Sequence, residues 1–174
     1  MVEALQALDE DAWSEIYQRH AKAIYAYIYF RTGHGETAED LTADVFVRAL
    51  SGIRSYAWRG TPLRAWLYRI AHNVTADHRK ASRRIADHTS EGEPLHLQDY
   101  RDDFAAFDGR LDMLSAIRRL TDDQQQVLIL RFYQGLSTIE VARICGKPDG
   151  AVKALQARGL RALRRHLTND EAAA

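Results

Sequence analysis

The residues best suited to chemistry are cations and aromatic rings that alternate between Tyr56 and Arg84. Residues 51–84 carry eight Lys and Arg against one acid, Asp77. Single-stranded nucleic acid binds to such mixtures, because cations neutralise phosphates and unstacked bases stack on rings. The stretch therefore predicts a site for single-stranded nucleic acid, with a solvated surface helix as the alternative. The rings are Tyr56, Trp58, Trp66 and Tyr68, and the cations of the helix are Arg64, Arg69, Arg79, Lys80, Arg83 and Arg84.

Catalysis and metal binding find no comparable support. The seven histidines are scattered, and the sequence contains neither an H-E-x-x-H motif nor paired cysteines. The single cysteine, Cys145, excludes an internal disulfide and favours a reducing cytoplasm. We therefore predict a cytoplasmic protein that is not an enzyme, with no catalytic residue, no metal ligand and no cofactor.

The basic stretch is predicted to form one helix over residues 63–84. Thr61 is placed as its N-cap and Pro62 at its first helical position, where the missing N–H costs nothing. Asn73 is able to read a base edge; the alternative is a hydrogen bond to Asp77 one turn later. The apolar residues follow the spacing of one helical face and are Leu63, Trp66, Leu67, Ile70, Ala71 and Val74.

Two further helices are predicted upstream, at residues 9–30 and 37–53. In the second, Thr37 and Asp40 are placed as a capping box. The helix dipole stabilises acids in its first two turns, but Asp40 and Asp44 repel each other at i,i+4, which a basic partner surface would explain. Those acids are Glu36, Glu39, Asp40 and Asp44, and the predicted buried residues are Leu41, Val45, Phe46, Ala49, Leu50 and Ile53.

The second half of the chain predicts a helix-turn-helix. Capping boxes at Thr121/Gln124 and Ser137/Glu140 begin two helices, and a turn at residues 145–148 leads to a last helix over residues 149–167. In such a unit the second helix lies in the major groove with its N-terminal residues on base edges. Here these are Lys153, Ala154, Ala157 and Arg158, while Arg161, Arg164 and Arg165 are placed on phosphates. The alternative is a generic bundle of three or four helices.

Together these features predict an all-α chain of two small helical domains, residues 1–84 and 110–174, joined by a flexible acidic linker at residues 85–109. No apolar run approaches the roughly 20 residues of a membrane span. The net charge is zero, although a free-standing DNA binder is usually basic. Alternating acidic and basic blocks suit a protein that contacts both nucleic acid and a basic protein partner.

Three segments in fixed order carry a family resemblance: AEDLTADVFVRAL (38–50), WRGTPLRAWLYRIAHNVTADHRKASRR (58–84) and LSTIEVARICGKPDGAVKALQARGLRALRRHL (136–167). With them the chain resembles the bacterial extracytoplasmic-function (ECF, group 4) sigma factors of the sigma-70 family, over residues 13–84 and 111–167. The resemblance implies sigma region 2 at the front and region 4 at the back, without region 1.1 or region 3. It also implies a subunit that binds core RNA polymerase and directs promoter-specific transcription initiation.

The resemblance further implies roles for individual residues. The β′ clamp helices of core polymerase would bind Glu39, Asp40, Leu41, Asp44 and Phe46, and the β flap would contact region 4. The −10 element, as separated strands, would bind Trp58, Arg59, Trp66, Arg69, Asn73, Arg79, Lys80, Arg83 and Arg84, with a flipped base near Trp58 and Asn73. The −35 duplex would bind Ser137, Lys153, Ala154, Ala157, Arg158 and Arg161. An anti-sigma factor is an implied further partner, which would sequester the cytoplasmic chain or hold it at the membrane.

Free energies favour a polymerase subunit over a protein that acts alone. Opening about ten base pairs costs on the order of 14 kcal/mol, at about 1.4 kcal/mol per step. Each base captured by stacking returns about 1–3 kcal/mol, so a large partner must supply the difference. The alternative function is a helix-turn-helix regulator that binds duplex DNA without polymerase.

Overall fold

The computed structural model of the chain describes residues 1–57, 62–88 and 115–171; the side chains of residues 83, 85–88 and 169–171 are not described. These residues form α-helices, one 3-10 turn and one π-turn, with no β-strand among them. Contacts divide the chain into two compact units, Met1–Leu95 and His96–Ala174. The predicted all-α fold with two helical domains is confirmed. The predicted linker lies largely outside the described residues.

The first domain contains α1 (Val2–Gln6), α2 (Glu10–Thr32), α3 (Gly35–Gly52), a 3-10 turn (Ile53–Ser55) and α4 (Leu63–His88). Helices α2, α3 and α4 pack on one another because each presents an apolar stripe. The core they enclose includes Ile24, Tyr27, Ile28, Val45, Ala49, Leu67, Tyr68, Ala71 and Val74.

Helix α1 was not predicted from the sequence. It has five residues, too few for a periodic pattern, and a helix this short is unstable without tertiary contacts. Those contacts are present: Leu5 is fully buried, and the Trp13 indole N–H donates to the Leu5 carbonyl at 3.1 Å. Leu8, in the turn between α1 and α2, has a φ of +63°.

The predicted start of α3 is wrong. The helix begins at Gly35 with His34 as N-cap, and that cap makes no side-chain hydrogen bond, so Thr37 lies inside the helix rather than at a capping box. The buried stripe is also shifted, since Ala38 and Thr42 belong to it and Leu50 is 45% exposed. The buried side of α3 therefore includes a small residue and a threonine that the apolar spacing alone did not indicate.

The start of α4 differs from the prediction by one position. The Pro62 carbonyl accepts a hydrogen bond from the Trp66 N–H at 3.1 Å, so Pro62 occupies the N-cap rather than the first helical position. The predicted N-cap, Thr61, lies outside the described residues. The helix extends to His88, four residues beyond the predicted end.

The second domain contains a helical stretch at residues 115–118, then α5 (Asp122–Leu128), a π-turn (Ile129–Tyr133), α6 (Thr138–Cys145) and α7 (Asp149–Glu171). Both predicted capping boxes are confirmed. The tight turn between α6 and α7 is confirmed as well, with Gly146 at a φ of +62°, a conformation that glycine adopts without strain. Helix α7 packs on α5 through Gly159, where an added Cβ would lie only 3.1 Å from the Leu128 side chain.

Candidate nucleic-acid interface

The polar side of α4 forms one continuous exposed stripe. Arg69, Asn73, Asp77, Lys80 and Arg84 are all exposed and recur at the spacing of one helical face. The opposite side is buried in the core. The structure therefore brings together four of the nine residues predicted to bind the −10 strand; Trp58, Arg59 and the Arg83 side chain lie outside the described residues, and Arg79 is half-buried.

Asn73 does not form the hydrogen bond to Asp77 that was its alternative role, as far as the described residues show. Asp77 instead faces Arg48 of α3, with 3.9 Å between its Oδ2 and the guanidinium. The Asn73 amide is exposed. Both its donor and its acceptor are therefore accessible to a ligand.

Two of the four rings expected to stack on bases are core residues. Tyr56 is 6% exposed and Tyr68 is 2% exposed, and the Tyr68 ring lies edge-on to Tyr27 with 5.6 Å between centroids. Burial raises the pKa of the Tyr56 phenol. Trp66 is half-buried, with its ring centroid 5.0 Å from that of Tyr56. Of the three rings within the described residues, Trp66 is therefore the one that is not buried.

The acidic part of α3 is exposed, but its charges are not equivalent. Asp44 accepts hydrogen bonds from Arg48 Nε at 3.0 and 3.1 Å, and this contact raises the pKa of the Arg48 guanidinium. The like-charge repulsion that suggested a basic partner is thus partly offset within the chain. Glu39 and Asp40 are exposed, and neither forms an ion pair with a described residue.

The apolar residues of this surface differ from those predicted. Phe46 is only 9% exposed and packs edge-on against Tyr17, with 4.8 Å between the ring centroids. It therefore lies beneath the exposed surface of α3. Val47 and Leu50 are 61% and 45% exposed, and sequence reasoning missed both as contact residues. The available signal was their position: they lie off the buried line through Val45 and Ala49.

In the second domain the predicted recognition face is exposed as a whole. Lys153, Ala154, Ala157, Arg158 and Arg161 of α7 all face solvent, whereas Val152 and Leu155 are buried. Lys153 Nζ pairs with Asp149 Oδ2 at 2.6 Å, and this hydrogen bond lowers the pKa of the Asp149 carboxyl. The Ser137 hydroxyl accepts from the Glu140 N–H at 3.2 Å, so its first role is to cap α6.

An arginine groove lies beside the recognition face. It has a volume of about 500 Å³ and is lined by Gln124, Arg158, Arg161, Ala162, Arg164 and Arg165. None of its four arginines forms an ion pair with a described residue. Neighbouring guanidinium groups without acids attract anions, and their planar donors match phosphate oxygens. The sequence predicted the arginines but not the contribution of Gln124 from α5.

The part of the chain that the structure describes shows no metal site of three or more His, Cys, Asp or Glu residues. Its helices are all too short or too polar to span a bilayer.

These features define an all-α protein of two helical units with a helix-turn-helix in the second. Residues 16–85 match Sigma-70 region 2 and residues 116–165 match Sigma-70 region 4, which together make up more than half of the chain. The chain therefore belongs to the sigma-70 family, in the extracytoplasmic-function group of sigma factors.

Three relatives illustrate the similarity. ECF RNA polymerase sigma factor BldN of Streptomyces coelicolor is 41% identical over 98% of this chain, which spans 66% of the length of BldN. RNA polymerase sigma factor YlaC of Bacillus subtilis is 32% identical over 92% of this chain and 94% of its own length. ECF RNA polymerase sigma factor SigW of the same species is 30% identical over 91% and 90%.

Solved structures show the same fold. The sigma factor RpoE in complex with the anti-sigma factor NepR from Bartonella quintana matches with a TM-score of 0.80 and 23% identity, over 90% of this chain and 97% of RpoE. CnrH in complex with the cytosolic domain of CnrY matches with a TM-score of 0.74 and 21% identity, over 97% and 96%. The predicted fold class is therefore confirmed by comparison as well as by the structure of the chain.

Proposed function

We propose that this sigma factor binds core RNA polymerase and directs initiation by reading the −35 element as duplex and the −10 element as melted strand. The observation that carries the proposal is the presence of two exposed basic helix faces in one chain, α4 in region 2 and α7 in region 4. A duplex reader needs a helix that enters the major groove. A single-strand reader needs cations beside an accessible ring, and an exposed amide additionally lets it hydrogen-bond to the edge of an unstacked base.

The −35 duplex is assigned to α7 and the start of α6. In this proposal the base edges are faced by Lys153, Ala154, Ala157 and Arg158. Ser137 lies near the DNA backbone. The arginine groove extends the contact to phosphates through Arg161, Arg164 and Arg165. Phosphate contacts give affinity and register, whereas base contacts give sequence preference.

The −10 strand is assigned to the α4 stripe. Arg69, Lys80 and Arg84 neutralise phosphates, and Asn73 pairs with the edge of a captured base. We assign half-buried Trp66 to the same strand, together with Trp58, Arg59, Arg79 and Arg83 from their sequence positions. The chain catalyses no reaction in this proposal, because polymerase makes the RNA.

The α3 face is assigned to the β′ clamp helices of core polymerase. Glu39, Asp40 and Asp44 supply charge, and Leu41 lies beside them with Phe46 beneath. We add Val47 and Leu50, since exposed apolar residues rimmed by charges suit a protein interface. The β flap is assigned to region 4, and an anti-sigma factor is proposed as a cytoplasmic or membrane-held partner because RpoE and CnrH were solved in complexes with NepR and CnrY.

Run-off transcription with core polymerase tests the proposal. Genomic fragments would first be selected for retention by the holoenzyme and then transcribed with and without the chain. We expect discrete transcripts that require the chain. Tight duplex binding by the chain alone, without any chain-dependent transcript, would instead identify a conventional helix-turn-helix regulator.

A further inference from the structure

The Gln6 side chain of α1 forms hydrogen bonds to the 3-10 turn that follows α3 and to Tyr56, the next residue. The Gln6 amide Nε2 donates to the Tyr56 carbonyl at 3.0 Å and to the Ile53 carbonyl at 3.4 Å. Because both partners are carbonyl oxygens, only the NH₂ end of the amide satisfies them. Two hydrogen bonds thus link the start of the chain to residues about 50 positions later.

Gln6 is itself held from both sides. Leu5, its neighbour, is fully buried, and the Leu5 carbonyl accepts from the Trp13 indole at 3.1 Å. The Asp9 N–H donates to the Ala4 carbonyl at 3.0 Å. Helix α1 is therefore anchored to α2, and the Gln6 side chain is presented to the turn from a fixed support.

The residues on either side of the 3-10 turn (Ile53–Ser55) contact Trp66. Tyr56, which directly follows the 3-10 turn, packs against Trp66 with 5.0 Å between the ring centroids. At the other end, Gly52 lies so close to the Trp66 ring that a Cβ added at Gly52 would be 3.6 Å from it. Trp66 thus rests across the turn, and its orientation depends on the path of the backbone from Gly52 to Tyr56.

We propose that Gln6 is a positioning residue for promoter opening: through the two turn carbonyls it sets the orientation of Trp66 beside the melted strand. The proposal rests on the function proposed above, because Trp66 matters only if α4 binds the −10 strand. A contact residue needs a second layer that holds it in the productive geometry. Gln6 supplies that layer without touching DNA.

The test compares Gln6→Met and Gln6→Lys in the full chain bound to core polymerase. Met keeps the volume and loses both donors, whereas Lys restores a donor. Open-complex formation is followed by 2-aminopurine fluorescence in the −10 element, next to affinity for core polymerase and for −35 duplex. Gln18→Met is the matched control, since the Gln18 amide is exposed and bonds only to Ser14 among the described residues.

We expect Gln6→Met to slow open-complex formation about tenfold, which corresponds to about 1.4 kcal/mol or roughly one hydrogen bond. Affinities for core polymerase and duplex stay unchanged, Gln6→Lys recovers the rate, and Gln18→Met matches the wild type. An unchanged rate in Gln6→Met overturns the inference, as does a parallel loss in all three measurements. If the wild-type chain itself opens no promoter with core polymerase, the proposed function fails, and this outcome is distinct from the other two.

Discussion

Among single residues, Asn73 combines an exposed amide with the absence of a hydrogen bond to any described residue. Its amide is exposed on the α4 stripe, and Asp77, its expected partner, faces Arg48 instead. An exposed polar side chain without an internal role contributes little to folding. A strong effect of its removal on function would therefore reflect contact with a ligand.

Asn73→Ala should change the free energy of unfolding by no more than about 0.5 kcal/mol. It should slow promoter opening and leave duplex binding intact, because the proposed function assigns Asn73 to the separated −10 strand and the −35 duplex to α7. Permanganate reactivity of the −10 element and a −35 duplex titration measure the two effects. Ser82→Ala, also exposed on α4, is the control; equal losses of both activities would argue against base capture.

Leu8 is strained, since its φ of +63° lies in the left-handed region that disfavours residues with a Cβ. The side chain is 42% exposed, so its loss costs little burial. Leu8→Gly should therefore raise the free energy of unfolding by up to about 1 kcal/mol. Chemical denaturation of the full chain measures this, and a lower stability would show that the Leu8 side chain packs more favourably than its exposure indicates.

Among the helices, α3 combines acids near its start with exposed apolar residues near its end. Asp44 forms an ion pair with Arg48, whereas Asp40 forms no ion pair with any described residue. Two acids that look alike in the sequence therefore differ in what they offer a basic partner.

Asp40→Lys should weaken binding to core polymerase on the order of tenfold, because it reverses an unpaired charge in the proposed interface. Asp44→Ala should have a smaller effect, since Arg48 already offsets that charge. Fluorescence anisotropy with labelled chain measures both affinities, with exposed Glu3→Lys as control. Equal affinity of Asp40→Lys and wild type would remove this acid from the interface.

The contact between α2 and α4 carries a pH dependence through His20. Burial lowers the pKa of His20 from 6.5, and the charges of Arg19 and Arg64 lower it further. The unfolded chain then binds a proton more readily than the folded chain, so this contribution to stability is complete above pH 6.5 and is lost as the pH falls through the folded-state pKa.

His20→Gln should therefore lose less stability than the wild type between pH 7.5 and pH 5. The substitution removes the one group whose protonation is argued above to differ between the folded and the unfolded chain. Thermal unfolding midpoints across this range measure the difference, with exposed His34→Gln as control. Parallel curves for wild type and His20→Gln would contradict the assignment.

At the scale of the whole molecule, the free-energy balance of promoter opening assigns most of the work to polymerase. Trp66 is a single half-buried ring in the described part of α4, and stacking returns about 1–3 kcal/mol per base. About ten opened pairs cost on the order of 14 kcal/mol. The chain by itself is expected to bind duplex and to leave it closed.

Permanganate footprinting should therefore detect no reactive thymines with the chain alone, even at saturating concentration. Addition of core polymerase should make the −10 thymines reactive. Mismatched DNA, opened in advance, is the control that shows the assay reports single strands. Reactivity with the chain alone would mean that the energy of opening comes from contacts not yet assigned.

The sequence by itself determined the helical class, both capping boxes of the second domain and the helix-turn-helix. These features depend on residues three or four positions apart, such as Ser137 and Glu140, so local spacing is sufficient to predict them. The exposed faces of α4 and α7 were likewise predictable, because charged residues are rarely buried. The family resemblance followed from the same local segments.

Tertiary structure alone decided which of the remaining residues are accessible. It buried Tyr56 and Tyr68, exposed Leu50, added α1 and brought Gln124 into the arginine groove. Residue type does not determine these outcomes, because an aromatic or aliphatic side chain is stable in a core and also serves at an interface. Which of the two occurs depends on how helices far apart in the chain rotate and pack against one another.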